Sequence, residues 1–77
     1  MWIVEIHNDH INTDTGVSLV IEELIGLSTD DARQMAEDIH QHGQGDFTPV
    51  AQAEAERLVA AFQVRGLNAK LRKARRA

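Results

Sequence analysis

The sequence predicts an α+β fold: a small antiparallel sheet of two to three strands with three helices packed on one face, in the order β-α-α-β-α-β. Three observations lead there. Apolar residues alternate with period two near both ends of the 77-residue chain. Three stripes of helical period lie between them, bounded by capping residues and glycines. Packing all three stripes on one face of a small sheet is the economical way to bury them.

The elements follow in order. Trp2, Val4 and Ile6 alternate with Ile3, Glu5 and His7, so residues 2–7 read as a strand. Val17, Val20, Ile21, Leu24 and Ile25 recur at helical spacing, which predicts a helix over 14–25, stopped by Gly26. Ser28 caps a second helix, with Asp31 placed like the acid of a capping box. Its stripe is Ala32, Met35, Ala36 and Ile39, and Gly43 ends it. Residues 43–48 are turn-rich, with Phe47 the only large apolar group, and predict a loop or a very short strand. Thr48 is placed to cap the third helix with Pro49 at its first position, where a missing N–H costs nothing. Ala55, Leu58, Val59 and Phe62 form its buried stripe and Gly66 its stop. Leu67, Ala69 and Leu71 alternate with Asn68, Lys70 and Arg72 in a last strand. Trp2, Val4, Ile6, Leu67, Ala69 and Leu71 are expected to face the helices. Residues 1–72 read as one core domain and 73–77 as a basic C-terminal tail, with no repeat and no linker.

Composition narrows the function. A chain this short buries only about 60% of the surface its unfolded form exposes, so it cannot enclose a large multistep active site. An apolar content of 43% makes it globular rather than disordered. It has no cysteine, which excludes disulfides and thiol chemistry. The first strand carries Glu5 and is no signal peptide, and no apolar run approaches membrane-spanning length. A cytoplasmic protein without membrane contact is expected. The net charge of −4 hides an asymmetry. Residues 1–69 hold all twelve acids against Arg33, Arg57 and Arg65, for a net −9, and residues 70–77 hold five cations. The tail reads as a solubilising, frayed end. No nucleic-acid partner is expected, because Trp2, Phe47 and Phe62 do not interleave with basic residues.

Two chemistries are set aside on spacing. His7, His10, His40 and His42, with Asp9, invite a metal reading. Residues three apart on a strand and turn do not reliably share a face, however, and His40 and His42 diverge by about 200° around a helix. Catalysis needs a nucleophile with a base, or paired carboxylates in a pocket. Asp9 with His40 is the nearest approach to one, and no phosphate loop is present. The chain is expected to work without catalysis, metal or cofactor.

An amine-binding cage fits the residue types best. A peptide's α-ammonium offers three donors and wants about three acceptors. The Asn8 carbonyl, the Asp9 carboxylate (directly or through a water) and a neutral His40 nitrogen supply them. Each residue has a bland alternative: Asn8 and Asp9 are common in turns, and a histidine suits a helix C-terminus.

The run Asn8-Asp9-x-x-Asn12-Thr13, then Val17, then Gly26-Leu27-Ser28, Ala32, Met35 and His40-x-x-Gly43 resembles the ClpS family, adaptors that deliver N-degron substrates to a Clp chaperone-protease. Glu54 and the ending Gly66-Leu67-x-Ala69 extend the resemblance, which covers about residues 3–72. It implies that Asn8, Asp9 and His40 bind the substrate's α-amine and first peptide group. It also implies an apolar pocket for the first side chain, lined by Asn12, Asp14, Val17, Ala36, Ile39 and Leu67. The implied partners are N-terminal peptides of substrates and the N-domain of a Clp-type AAA+ chaperone.

The sequence departs from the family pattern at His10, where aspartate or proline is usual, and at Asp14, where an apolar residue sits over the pocket mouth. It departs again at Ala36, which replaces a larger side chain. A smaller lining and an acidic rim are expected to change which first residues fit. The 43–48 loop is shorter than in the family, which implies a vestigial middle strand. Family adaptors carry a flexible N-terminal extension, whereas this sequence starts at the first strand, so the resemblance implies binding more directly than delivery. The same element order also resembles the C-terminal domain of the ribosomal stalk protein L7/L12, a protein-docking module without an amine cage.

Overall fold

The computed structural model describes residues 1–9 and 11–75, so His10, Arg76 and Ala77 lie outside the described residues. Strand β1 (Trp2–His7) leads to helices α1 (Asp14–Ile25) and α2 (Thr29–His42). Strand β2 (Gln44–Asp46), helix α3 (Gln52–Val64) and strand β3 (Asn68–Lys73) follow. The strands lie in the order β2-β1-β3, antiparallel throughout.

Local chemistry sets most boundaries. Thr13 caps α1, its hydroxyl oxygen accepting from the Gly16 N–H at 3.0 Å, and Ser28 caps α2 by accepting from Asp31 N–H at 3.1 Å. Gly26 and Gly43 end these helices in the left-handed region at φ 82° and 88°, which a residue with a Cβ adopts only at a cost. The short link between them makes α1 and α2 an antiparallel hairpin. Helix α3 ends in a paired-bond cap: Leu67 N–H donates to Phe62 O at 3.1 Å and Gly66 N–H to Gln63 O at 2.9 Å. Leu67 therefore belongs to this cap and not to the last strand, which begins one residue later.

The start of α3 differs from the sequence expectation. Thr48 does not cap it, Pro49 does not open it, and its first turn begins at Gln52 with no side-chain cap. Val50 is drawn into the sheet instead. It exchanges two backbone bonds with Trp2, at 2.7 and 2.8 Å. The β-branched Val50 gains a partner beyond the end of β2, and Thr48, preceding a proline, is restricted to extended geometry. The middle strand forms with only three residues, so the 43–48 segment is the very short strand rather than a loop.

The helices cover one sheet face. Val4, Ile6 and Ala69 are buried there, with Trp2 and Leu71 partly buried at its margin. Leu67 joins them just ahead of β3. The same core takes in Val17 and Ile21 of α1, Ala32, Ala36 and Ile39 of α2, Ala55, Leu58, Val59 and Phe62 of α3, and Phe47. Phe47 stacks on Phe62 with ring centres 5.8 Å apart. Gly45, opposite Ile6, leaves room for α2 to lie on the sheet. A Cβ there would stand 2.7 Å from both Ile39 Cγ1 and Met35 Sδ.

The other sheet face is ionic. Arg72 donates to Glu5 and, at 2.9 Å, to Asp46 Oδ2. His7 Nε2–H donates to Glu5 Oε1 at 2.8 Å. These donors hold both carboxyls below their ordinary range: at Glu5 the His7 hydrogen bond leads and Arg72 follows, and at Asp46 the Arg72 bond leads. Strand β3 runs through Lys73, and Ala74 N–H still reaches Met1 O at 2.9 Å, so pairing continues past residue 72. Among the described residues no helix is long and apolar enough to cross a membrane.

Candidate functional site

The turn leaving β1 is organised by one carboxylate. Asp9 Oδ1 accepts from the backbone N–H of Ile11 and of Asn12, both at 2.8 Å, and Asp9 Oδ2 accepts from Asn12 Nδ2 at 2.9 Å. An aspartate closing its own turn is a local device. The Asn12 side chain then ties this turn to the other end of the chain, because Nδ2 also donates to Gly66 O at 2.9 Å. Asn8 is anchored through its backbone, its N–H donating to Gly43 O at 2.8 Å. Its side chain is exposed. Two glycine carbonyls, at the ends of α2 and α3, thus hold the turn against the helices.

His40 lies in the last turn of α2 and Asp14 in the first turn of α1. His40 Nδ1 stands 3.6 Å from Asp14 Oδ1, and both side chains are well exposed, at 63% and 58%. One turn inward along each helix come Val17 and Ala36, then Ile21 and Ala32, all within the apolar core. The α1–α2 seam is therefore a ladder of apolar contacts whose outermost rung is polar.

The residues expected to bind an amine meet in part. Asn8 and Asp9 share the turn that Gly43 anchors, and Gly43 ends the helix that carries His40. Asp9 is occupied with the turn, the alternative role the sequence offered for it. Of the expected pocket lining, Val17, Ala36, Ile39 and Leu67 belong to one core, each less than a tenth exposed. Asn12 is half-buried at its edge, and Asp14 stands outside it, facing His40. The carbonyls of Gly43 and Gly66 were missed as site-shaping groups. Their signal was present in the two glycine helix stops, each of which aims backbone groups into a turn. His7 belongs to the opposite sheet face and His42 is exposed at the end of α2. A separate cavity of about 310 Å³ lies at the far end of the hairpin, lined mainly by Leu24, Ile25, Leu27, Met35, Phe47, Val50 and Leu58.

The molecule is two-layered, three helices on one face of a three-stranded sheet, with polar groups gathered at the open end of the α1–α2 hairpin over an apolar seam. Residues 1–71 match the family model described as the ATP-dependent Clp protease adaptor protein ClpS. Two curated relatives are ATP-dependent Clp protease adapter proteins ClpS of Streptomyces coelicolor and Streptomyces avermitilis. Each is 32% identical over 75 residues, spanning 97% of this chain and 78% and 71% of theirs. The solved structure of Agrobacterium tumefaciens ClpS2 bound to L-phenylalaninamide has the same fold. Its TM-score is 0.80, over 92% of this chain and 95% of that one, at 16% identity. The chain belongs to the ClpS family, adaptors of the Clp protease.

Proposed function

We propose that this adaptor binds the free α-amine and the bulky hydrophobic first side chain of N-degron substrates and presents them to a Clp-type AAA+ chaperone-protease. The observation that carries the reading is the outer rung of the α1–α2 seam. An exposed imidazole and a carboxylate lie 3.6 Å apart, above Val17, Ala36 and Ile39. Asn8 stands on the adjoining turn, which Asp9 and Asn12 hold rigid. That ClpS2 of Agrobacterium tumefaciens binds L-phenylalaninamide, a free amine on an aromatic residue, supports the same chemistry here.

The energetics are consistent with this division. Burying a Leu- or Phe-sized side chain contributes roughly 1.5–3 kcal/mol, whereas micromolar affinity needs about 8 kcal/mol. Charged hydrogen bonds at the amine, roughly 1.5–3 kcal/mol each, supply much of the remainder. The pocket residues pack closely in the free protein, so the first side chain enters by parting the seam near its open end.

Fluorescence anisotropy of peptides differing only in residue one, each with a free and an acetylated N-terminus, tests the proposal. Acetylation removes the charge and leaves the acceptors unpaired. Affinity falls at least about tenfold if the reading is right. Equal binding of the two forms overturns it.

A further inference from the structure

We infer that Asp14, and not Asp9, is the carboxylate that takes the substrate's α-ammonium, with His40 as its partner acceptor. The inference rests on the amine-binding reading above and assigns the charged group within it.

Asp9 is engaged in structure. Both of its carboxylate oxygens accept bonds from Ile11 and Asn12, and those bonds shape the turn that Asn12 fastens to Gly66. A ligand drawing on that carboxylate competes with the bonds that shape the turn carrying Asn8. Asp14 has no such duty. Thr13 already caps α1, and the Asp14 carboxylate is exposed, with the His40 ring as its neighbour at 3.6 Å.

The spacing suits a shared ammonium. Two acceptors each about 2.8 Å from one tetrahedral nitrogen stand about 4.6 Å apart. The Asp14–His40 gap needs to open by only about 1 Å to reach that value. Both side chains are on the surface, so rotation about their own bonds opens the gap without breaking core contacts. A neutral imidazole beside a carboxylate carries one negative charge, which complements one ammonium.

The position is equally informative. Val17 follows Asp14 by one turn of α1, and Ala36 precedes His40 by one turn of α2. An ammonium held between Asp14 and His40 sits directly over the seam its own side chain must enter. An acidic rim at this point also disfavours a carboxylate in the first two residues of a substrate. The substrate class is thus peptides with a charged α-amine, an apolar first residue and no acid beside it.

The test compares two peptides that begin with phenylalanine or with its desamino analogue, 3-phenylpropionyl, and are otherwise identical. Their affinities are measured by anisotropy on the intact protein and on Asp14→Asn, Asp14→Met and His40→Ala. Asp14→Asn is expected to weaken the free-amine peptide about tenfold or more and to leave the desamino peptide unchanged. Asp14→Met, which replaces the carboxylate with an uncharged side chain, is expected to weaken the free-amine peptide likewise. It serves as the second reading if either variant folds poorly by circular dichroism. If both variants hold the free-amine peptide within twofold of the intact protein while His40→Ala loses it, the assignment to Asp14 is overturned and the adaptor reading stands. If the intact protein does not prefer the free amine over the desamino peptide, both fall together.

Discussion

Where Gly26 turns the chain, the α1–α2 hairpin closes on Leu24, Ile25, Leu27 and Met35, which border an apolar cavity of about 310 Å³. At its other end the same two helices finish in Asp14 and His40, exposed and 3.6 Å apart. The two ends share one seam of apolar rungs. They differ in what lies beside them. The closed end packs against Phe47, Val50 and Leu58, whereas the open end meets a turn held by backbone bonds to Gly43 and Gly66. Helix register is decided in the middle by burial. On the proposed reading, binding is left to the open end, where a side chain can be polar without disturbing the core.

If that division holds, variants at the two ends separate stability from binding. The largest effect is expected at the closed end. Phe47 is buried, borders the cavity and stacks on Phe62. Phe47→Ala should cost about 3–5 kcal/mol of stability. That is much of the roughly 4–12 kcal/mol a chain of this size has, and it would appear as a large fall in the urea midpoint. A folded fraction that still prefers free-amine peptides would sharpen the comparison. A loss of that preference in molecules that remain folded would break it.

Gly45→Ala acts between the ends. The new Cβ meets Ile39 and Met35 at 2.7 Å, and overpacking of this kind costs about 1–3 kcal/mol. Because Ile39 is an expected pocket residue, both stability and peptide affinity should fall. A stability change alone would detach Ile39 from the pocket.

His40→Ala is expected to remove about 1.5–3 kcal/mol of binding while moving the urea midpoint by the equivalent of less than about 0.5 kcal/mol. A collapse of the fold would make His40 a structural residue and erase the distinction between the ends.

The smallest effect belongs to the outer sheet face, away from both. Glu5 and Asp46 have carboxyls lowered by His7 and Arg72. Their folded values lie below their unfolded ones, so their contribution is complete above the usual carboxylate range near pH 4. It disappears as pH falls through the lowered folded values. Arg72→Gln should therefore flatten the acid limb of a midpoint-against-pH curve and leave peptide binding at neutral pH unchanged. An unchanged acid limb would show that these ion pairs do not couple to folding.

Much of this arrangement was legible in the residues because much of it is local. The β1 alternation, the α1 and α2 stripes, the Ser28 cap and the Gly26 and Gly43 stops each depend on groups within about four residues, so the sequence alone determined them. The Asn8–Asp9 turn was visible for the same reason. Three matters were decided only when the chain closed. Thr48 and Pro49 carried good helix-start chemistry, yet Val50 found Trp2 across 48 positions of sequence, and α3 began later. Asn12 read as a lining residue, and its amide became the tie between Asp9 and the Gly66 carbonyl 54 residues away. Asp14 read as an oddity at a pocket mouth, and the antiparallel register of α1 and α2 set it against His40. Caps and stripes are fixed by neighbours along the chain. Cross-chain hydrogen bonds and charge pairs take their energy from partners that exist only after the apolar core has placed them.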